Sequence, residues 1–360
     1  MKQSEMKLSR KLAKGLLTGA LCLSAIAATA TVSLAADNPV RWKMQSWFPS
    51  KAPHAGTTGF DIQTKIKRVS GGNFQIRFFE PGALIPPAEC FDSVKKGAVD
   101  ACWSTPAYWY GKDPAFALFS AAPFGPDWPG LLAWFNYHGG KEIYERLYHK
   151  HNMHAIHCGG MIPEASGWFK EEIKSVEQFN GLKIRFLGLG ALVLDKLGAS
   201  TQLLAGGDIF PALELGTIDA TEFAAPSVDW NLGFWQIVKN YYFPGWHQPA
   251  TIYDIMINLD KWNALSDTQK AQLEMVCGDN VRQAIALGES MQPDALAKHQ
   301  SKGVTVRRWP PEVLEKLEGT WRTVAAELST KDATFKEAYD SLTAWQDKHK
   351  IWLELGYLDR

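Results

Sequence analysis

The sequence lacks the short motifs that mark the common hydrolases and phosphoryl-transfer enzymes. It contains no HExxH, no GxSxG and no phosphate-binding glycine loop. It also lacks an excess of charge, since 38 Lys and Arg residues balance 38 Asp and Glu residues among 360. A neutral balance argues against a protein that coats nucleic acid, and we expect no nucleic-acid partner.

Long apolar runs are scarce, and the one candidate targeting segment stands at the N-terminus. A basic start is followed by an apolar run from Leu16 to about Ala28 and by small residues that end in Ser33-Leu34-Ala35. This order is typical of a cleaved secretory signal peptide. An uncleaved anchor is the alternative. We predict a signal peptide over residues 1–35 and a periplasmic location for the rest, in which no stretch approaches 18 apolar residues.

Cysteine is rare and no CxxC pair occurs, which excludes a thioredoxin-like redox motif. Cleavage after Ala35 removes five cations and one anion, which leaves 33 basic and 37 acidic residues. Four cysteines remain in that mature chain, and both free buried thiols and three disulfide connectivities stay open. These cysteines are Cys90, Cys102, Cys158 and Cys277.

Strand and helix patterns alternate through most of the chain, which predicts an α/β fold. At about 150 residues per domain, the length predicts two domains. No linker rich in Gly, Ser or Pro separates them, so we expect more than one crossover between them. A helix-stop-strand pattern at Pro86–Ala101 returns at Asp208–Ala220. The repeat indicates two lobes of similar topology, although a chance recurrence of a common unit is the alternative.

The last hundred residues read as helices. Ser266 is a plausible N-cap for a long helix, and two amphipathic helices are predicted over Pro311–Leu328 and Thr334–Trp352. Trp345 and Trp352 lie seven residues apart near one face of the last helix. That much ring surface must be buried, either on the same lobe or on a second subunit.

Four polar residues stand where the pattern places strand ends and turns. Arg185 leaves a strand beside a helix N-terminus, which is a natural position for binding a carboxylate. Glu222 follows the strand that ends at Ala220, near the edge where α/β sheets bind ligands. Glu164 and Gln248 lie in predicted turns, and such oxygens suit Na⁺ or Ca²⁺. Spacing alone does not bring the four together, and solvated polar residues are the alternative.

A run of histidines offers a different metal site. Its members are His149, His151, His154 and His157. Zn²⁺ could bind such a run, but an ordinary strand that carries histidines is the simpler interpretation.

Taken together, several segments resemble the periplasmic solute-binding proteins of TRAP transporters, the DctP-like family. The resemblance extends over essentially the whole mature chain. It is carried by Gly71–Gly72, Pro81–Leu84, Gly181–Arg185, Leu197–Ala199, Gly207–Ile209 and Ile218–Glu222. Further segments are similar to the subgroup that binds 2-oxo acids, namely Gly111–Pro114, Gly167–Phe169, Tyr241–Trp246 and Trp352–Tyr357.

The resemblance implies a two-lobe periplasmic binding protein fold, with mixed sheets flanked by helices and a long C-terminal helical extension. Lobe I would comprise residues 36–158 and 245–283, and lobe II residues 159–244 and 284–330. Residues 331–360 would form a helical tail that is exchanged between two subunits of a homodimer. The implied partners are a small carboxylate ligand and the membrane subunits of the transporter.

The resemblance also implies a site. Arg185 would hold the substrate carboxylate, and a bound Na⁺ or Ca²⁺ would bridge protein and substrate oxygens. The expected cation ligands are Glu164, Glu222, Gln248 and the backbone carbonyl of Phe223. Glu164, Phe223 and Gln248 would also line the substrate pocket, which Tyr108 of the first lobe would cap.

Three positions depart from the subgroup pattern, and two of them form an exchange: the subgroup has Gln where this chain has Glu164 and Glu where it has Gln248. The exchange keeps the ligand charge constant. Phe223 replaces the usual Trp, which leaves the pocket shape and the choice of substrate open. The expected substrate is a 2-oxo acid such as pyruvate or a related 2-hydroxy acid. The alternative function is an exported metal-dependent enzyme in which Glu164 or His247 acts as the base.

Overall fold

Two mixed β-sheets organise the computed structural model, which describes residues 37–358. The predicted signal peptide therefore lies outside the described residues. From Pro39 onward the chain forms one compact unit. The strands are β1 (Val40–Ser46), β2 (Phe74–Phe79), β3 (Ala101–Ser104), β4 (Met153–Met161), β5 (Gly167–Phe169), β6 (Lys183–Arg185), β7 (Ser200–Gln202), β8 (Ala220–Thr221), β9 (Asn240–Phe243), β10 (Thr251–Asn258) and β11 (Thr305–Arg308).

Helices flank both sheets, and short 3₁₀ segments connect several elements. The α-helices are α1 (Ala55–Val69), α2 (Cys90–Lys95), α3 (Trp128–Tyr137), α4 (Gly140–His149), α5 (Gly188–Lys196), α6 (Gly206–Glu214), α7 (Pro226–Leu232), α8 (Leu259–Asn263), α9 (Asp267–Ser301), α10 (Pro311–Lys331) and α11 (Ala333–Gly356). No helix among residues 37–358 is long and apolar enough to cross a membrane.

Each sheet is parallel in one part and antiparallel in the other. The first has the order β2-β1-β3-β10-β4, and the second β11-β9-β5-β8-β6-β7. In the first sheet β1 runs parallel to β2 and β3, whereas β10 runs antiparallel to β3 and β4. β10 is buried along its whole length, as its near-continuous apolar sequence predicts for a central strand. The fold class is therefore the predicted one, mixed α/β with long C-terminal helices.

The repeated pattern seen in the sequence occupies equivalent places in the two sheets. α2 leads into β3 of the first sheet, and α6 leads into β8 of the second. The Asp before each strand accepts a backbone N–H from a neighbouring parallel strand. Asp100 takes that of Lys43 at 2.8 Å, and Asp219 that of Lys183 at 3.4 Å. The repeated pattern thus recurs at corresponding strands of the two sheets, and the division into two lobes stays a prediction.

The helix α9 runs for 35 residues and contacts elements of both sheets. Its first turn carries the predicted Ser266 cap, completed by Gln269 as a capping box. In its middle, Asn280 donates to the carbonyls of Thr58 and Cys158 beside the first sheet. Near its end, His299 lies 3.0 Å from the carbonyl of Pro226 at the start of α7.

The four cysteines form two disulfides, Cys90–Cys102 and Cys158–Cys277. The first joins α2 to β3, and the second joins β4 to α9. Free thiols were an open alternative in the sequence, and the structure has none among these four.

The last helix folds back onto its own chain over its first half. α11 packs on α3, on α4 and on the 3₁₀ segment Pro114–Phe119 through Phe335, Ala338 and Leu342, all of them buried. Trp345 stacks on His138 with ring centroids 4.0 Å apart. The end of the helix differs, because its apolar side chains are exposed. These are Ile351, Trp352, Leu353, Leu355, Tyr357 and Leu358.

Candidate functional site

Three buried side chains converge where the second sheet meets the segment that leads into β10. Glu164, Glu222 and His247 each offer a ligand atom, and these atoms lie within 4.8 Å of one another. His247 Nε2 is 3.7 Å from Glu222 Oε1 and 3.9 Å from Glu164 Oε2. Within residues 37–358 this is the one group of three or more His, Cys, Asp or Glu side chains arranged to hold a metal ion.

Backbone geometry fixes the two carboxylates. Glu222 directly follows β8, and its N–H donates to the carbonyl of Arg185 at 3.0 Å. Glu164 lies in the connection between β4 and β5, and its N–H donates to the carbonyl of Gln248. Gly245 allows that approach, since a Cβ there would stand 2.1 Å from the Glu164 carbonyl oxygen. The Pro-Gly-Trp segment therefore needs its glycine to bring His247 and Gln248 beside Glu164.

Arg185 ends β6 and is paired with Glu222. Its Nη1 donates to Glu222 Oε2 at 2.6 Å and to the Glu222 carbonyl at 2.7 Å, and its Nε donates to Leu204. The guanidinium lies over the ring of Phe223, 5.1 Å from its centre. Among the described residues Nη2 has no hydrogen-bond partner, which leaves one edge of the fork for another acceptor. An Arg at the end of a strand was predicted, and its ion pair with Glu222 was not.

Gln248 is buried beside Glu164. Its side-chain amide donates to Glu164 Oε1 at 3.3 Å and to Thr251 Oγ1 at 3.0 Å. Its side-chain oxygen Oε1 has no hydrogen-bond partner among residues 37–358. The structure therefore brings Glu164, Glu222 and Gln248 to one place, which spacing could not show.

The pKa values of the two carboxyl groups are shifted in opposite directions. Burial, and then repulsion by Glu222, raises the pKa of Glu164 well above its ordinary value. Burial alone would also raise the pKa of Glu222. Arg185, the nearby His247 and the N–H of Leu187 outweigh that effect, so the pKa of Glu222 is lowered.

Several buried polar atoms in this group have no hydrogen-bond partner within the part of the chain that the structure describes. They are Glu164 Oε2, Glu222 Oε1, Gln248 Oε1 and both ring nitrogens of His247. Buried polar atoms are normally paired, and a cluster of unpaired carboxyl and amide oxygens suits a cation. The donor set therefore fits Na⁺ or Ca²⁺, which bind oxygen ligands.

Aromatic residues of the first-sheet region face this cluster. Tyr108 packs against Trp47 in a tilted arrangement, with ring centroids 4.3 Å apart. Burial raises the pKa of Tyr108 to about 12, with opposing influences from Arg185 and the two carboxylates. Sequence reasoning named Tyr108 and did not name Tyr253, whose pKa is raised well above its ordinary value by burial and then by Glu164. Tyr253 belongs to the fully buried strand β10, where nothing in the sequence pattern distinguishes its ring from a core residue.

The histidine run does not assemble a metal centre. His149 Nε2 and His154 Nδ1 are 3.0 Å apart, and no third His, Cys, Asp or Glu within residues 37–358 joins them. His154 stacks on Trp262, His157 stacks on Trp128 and His151 packs on Phe91. The simpler interpretation, histidines in and around an ordinary strand, is the one the structure supports.

Two sheets joined through several crossovers, with a buried Arg and an unpaired acceptor cluster at strand ends, define an α/β ligand-binding protein. The chain belongs to the DctP family, bacterial extracellular solute-binding protein family 7, whose model matches residues 47–332.

Relatives support this membership over nearly the full length. A monocarboxylate 2-oxoacid-binding periplasmic protein of Nostoc sp. is 31% identical over 344 residues, which cover 95% of this chain and 94% of the relative. A TRAP transporter solute-binding protein from Bordetella bronchiseptica has a TM-score of 0.85 and 32% identity, covering 88% of this chain and 95% of its own. That structure is a mixed-occupancy dimer with calcium and picolinate at one active site.

A third relative carries a different ion. The TRAP periplasmic solute-binding protein from Pseudoalteromonas atlantica holds sodium and pyruvate. It is 29% identical with a TM-score of 0.83, and the match covers 88% of this chain and 96% of that one.

Proposed function

We propose that this chain captures a small monocarboxylate, a 2-oxo acid such as pyruvate or a related 2-hydroxy acid, together with a bound Na⁺ or Ca²⁺. One observation carries the proposal. Arg185, whose Nη2 makes no hydrogen bond within residues 37–358, lies beside the buried carboxyl groups of Glu164 and Glu222. Glu164 Oε2 and Glu222 Oε1 also lack hydrogen-bond partners among these residues. A guanidinium next to a cation site is suited to a ligand with a carboxylate and an adjacent oxygen.

Each residue has a distinct part in this binding mode. Arg185 orients the substrate carboxylate through its free edge, while its Nη1 contact with Glu222 fixes the guanidinium plane. Glu164, Glu222, Gln248 and the Phe223 carbonyl would hold the cation. The cation supplies positive charge to the substrate oxygens. Tyr108 caps the pocket with a ring that excludes water and a phenol that can donate.

The lobe boundaries remain part of the proposal. Lobe I would consist of residues 36–158 and 245–283, and lobe II of residues 159–244 and 284–330. In support, the first sheet draws on segments before Met161 and after Thr251, and the second sheet on the segment between them and on β11. β4 itself runs three residues beyond the proposed first boundary.

The cellular setting follows from the same relationship. We propose a periplasmic protein, exported by the signal peptide over residues 1–35, that delivers its ligand to the membrane subunits of a TRAP transporter. The related Bordetella bronchiseptica structure is a dimer, and the exposed apolar end of α11 supports a homodimer here. Light scattering on residues 36–360 tests the dimer, because a mass of one chain at micromolar concentration contradicts it.

Calorimetry tests the binding function. The mature protein is titrated with pyruvate, a longer 2-oxo acid and lactate, in CaCl₂, in NaCl, and in sodium-free buffer with a chelator. Acetate is the matched control ligand, because it lacks the keto or hydroxyl oxygen next to the carboxylate. We expect saturable binding that requires the cation, with ligand recovered unchanged. Turnover of the ligand would favour the alternative, a metal-dependent enzyme with Glu164 or His247 as base, and absence of any binding would contradict the proposal.

A further inference from the structure

The imidazole of His247 is a buried polar group that has no part in the proposed carboxylate binding. The side chain is almost fully buried, and neither of its ring nitrogens has a hydrogen-bond partner among the residues that the structure describes. The contacts of Nε2 with Glu222 and Glu164, at 3.7 and 3.9 Å, are too long for hydrogen bonds. Hydrogen bonding therefore does not explain why a polar ring occupies this position.

The ring is held in place by apolar packing. Phe186 meets it edge to face with ring centroids 4.7 Å apart. Gly190 lies directly behind it, since a Cβ there would be 3.0 Å from the Cβ of His247. This packing directs Nε2 toward the two carboxylates.

We propose that His247 supplies a nitrogen ligand to the ion at this site, so that the chain binds Zn²⁺ as well as the oxygen-preferring ions. The inference deepens the proposed function, because it concerns the ion of the same site. Two carboxylate oxygens and one imidazole nitrogen form a ligand set that Zn²⁺ accepts, and they leave an open position. Ca²⁺ takes oxygen ligands and gains nothing from the imidazole.

Charge also favours a divalent ion. If Arg185 pairs with the substrate carboxylate, Glu164 and Glu222 leave two negative charges, which a divalent ion neutralises and Na⁺ does not. Ligand atoms around a tetrahedral Zn²⁺ stand about 3.3 Å apart. The observed separations of 3.7 and 3.9 Å therefore require a contraction of about half an ångström. Repulsion between the two carboxylates opposes that contraction until an ion neutralises it.

The decisive variant is His247→Gln, which replaces the nitrogen with an amide oxygen of similar reach. Mature protein stripped of metal is titrated with ZnCl₂ and separately with CaCl₂. We expect Zn²⁺ affinity to fall by roughly ten- to a hundredfold or more, since losing an outer-shell partner alone costs that much. Ca²⁺ affinity is expected to stay within about threefold, because an oxygen remains available.

A spectroscopic readout separates ligation from a structural role. Zinc X-ray absorption of the natural chain should show imidazole scattering, and the signal should be absent in His247→Gln. His149→Ala is the matched control, because it removes an imidazole of the His149–His154 pair, which lies outside the proposed site. Equal loss of Zn²⁺ and Ca²⁺ in His247→Gln, or loss of Zn²⁺ only in His149→Ala, would overturn the inference.

The proposed function can fail independently. Pyruvate titration of the calcium-loaded protein reports on substrate capture without reference to His247. Zinc ligation by His247 without any carboxylate binding would refute the function and leave the inference standing. Carboxylate binding together with a zinc affinity that is the same in His247→Gln would support the function and refute the inference.

Discussion

At the scale of single residues, Arg185 carries the sharpest expectation. Arg185→Lys replaces a planar fork with a single ammonium, which cannot bind both Glu222 and a substrate carboxylate in the same way. One lost charge-assisted hydrogen bond is worth about 1.5–3 kcal/mol, so pyruvate affinity should fall by about tenfold to over a hundredfold. Calorimetry measures this, and Arg308→Lys on β11 is the matched control. Unchanged affinity would remove Arg185 from the site.

Glu222 is paired with Arg185 and is a proposed cation ligand. We therefore expect its negative charge to strengthen both cation binding and carboxylate binding. Glu222→Gln preserves shape but leaves the buried guanidinium without its ion-pair partner. We expect weaker binding of Ca²⁺ and of pyruvate, measured by metal analysis after dialysis and by calorimetry. The exposed Glu214→Gln on α6 controls for the loss of one negative charge. Retention of the ion at natural stoichiometry in Glu222→Gln would contradict its assignment as a ligand.

The sequence predicted most of these residues but not their relationships. Arg185 and Glu222 could be placed at strand ends, because glycine stops and apolar strands have local causes. Their ion pair depends on β6 lying beside β8 with Arg185 opposite Thr221 in register, which is a long-range pairing. His247 appeared only as a base in the alternative function, since no local pattern shows which way a buried ring points.

At the scale of elements, the terminal helices separate what periodicity can and cannot predict. The apolar spacing in the sequence of α10 predicts a stripe that needs a partner. Its members are Leu314, Leu317, Trp321, Val324 and Leu328, of which the middle three are buried and the outer two half-buried. The same reasoning assigned Trp345 and Trp352 to one face of α11, yet the first packs on its own chain and the second is exposed. Periodicity identifies a face that needs a partner, whereas the partner depends on the rest of the fold.

Removing α11 tests how much it contributes to its own subunit. Truncation after Lys331 would uncover the surface on which Phe335, Ala338 and Leu342 pack. We expect a lower melting temperature and increased binding of a hydrophobic dye, both measured on the purified mature chain. Leu215→Glu is the control, since this apolar side chain is exposed and lies outside α11. A truncated chain as stable as the full one would contradict the observed packing.

At the scale of the whole molecule, two buried carboxyl groups make stability depend on pH. Burial raises the pKa of Asp229 to about 7 and that of Asp254 to about 6. A folded-state pKa above the unfolded value stabilises the folded state at low pH, and this contribution is lost as pH rises through the folded pKa. For Asp229 the loss therefore falls between about pH 4 and pH 7. Buried histidines act in the opposite direction, for burial lowers the pKa of His157 to about 4.

Comparing the stability of Asp229→Asn with that of the natural chain separates the effect of Asp229 from that of the buried histidines. Asp229→Asn should be destabilised overall, because an amide cannot accept all the bonds donated by Trp168, Tyr241 and Ala224. The difference in stability between Asp229→Asn and the natural chain should shrink as pH rises from 4 to 8. Only the natural chain has the titrating Asp229 carboxyl, so only it loses stability as that group ionises. Thermal melts across that range measure the deficit, and the exposed Asp61→Asn is the control. A deficit that is constant with pH would contradict the raised pKa.

The long helix α9 has a mechanical consequence. Its segment up to Ala284 bonds to the first-sheet side through His54 and Asn280, and its segment from Gln292 bonds to α7 through Ser227. Pro293 stands where the two meet and has no N–H to donate, so one carbonyl of the preceding turn loses its helical bond. We therefore expect α9 to bend more easily at Pro293 than elsewhere along its length. If α9 bends when the ligand binds, the free energy spent on bending lowers the affinity that Arg185 and the cation would otherwise give.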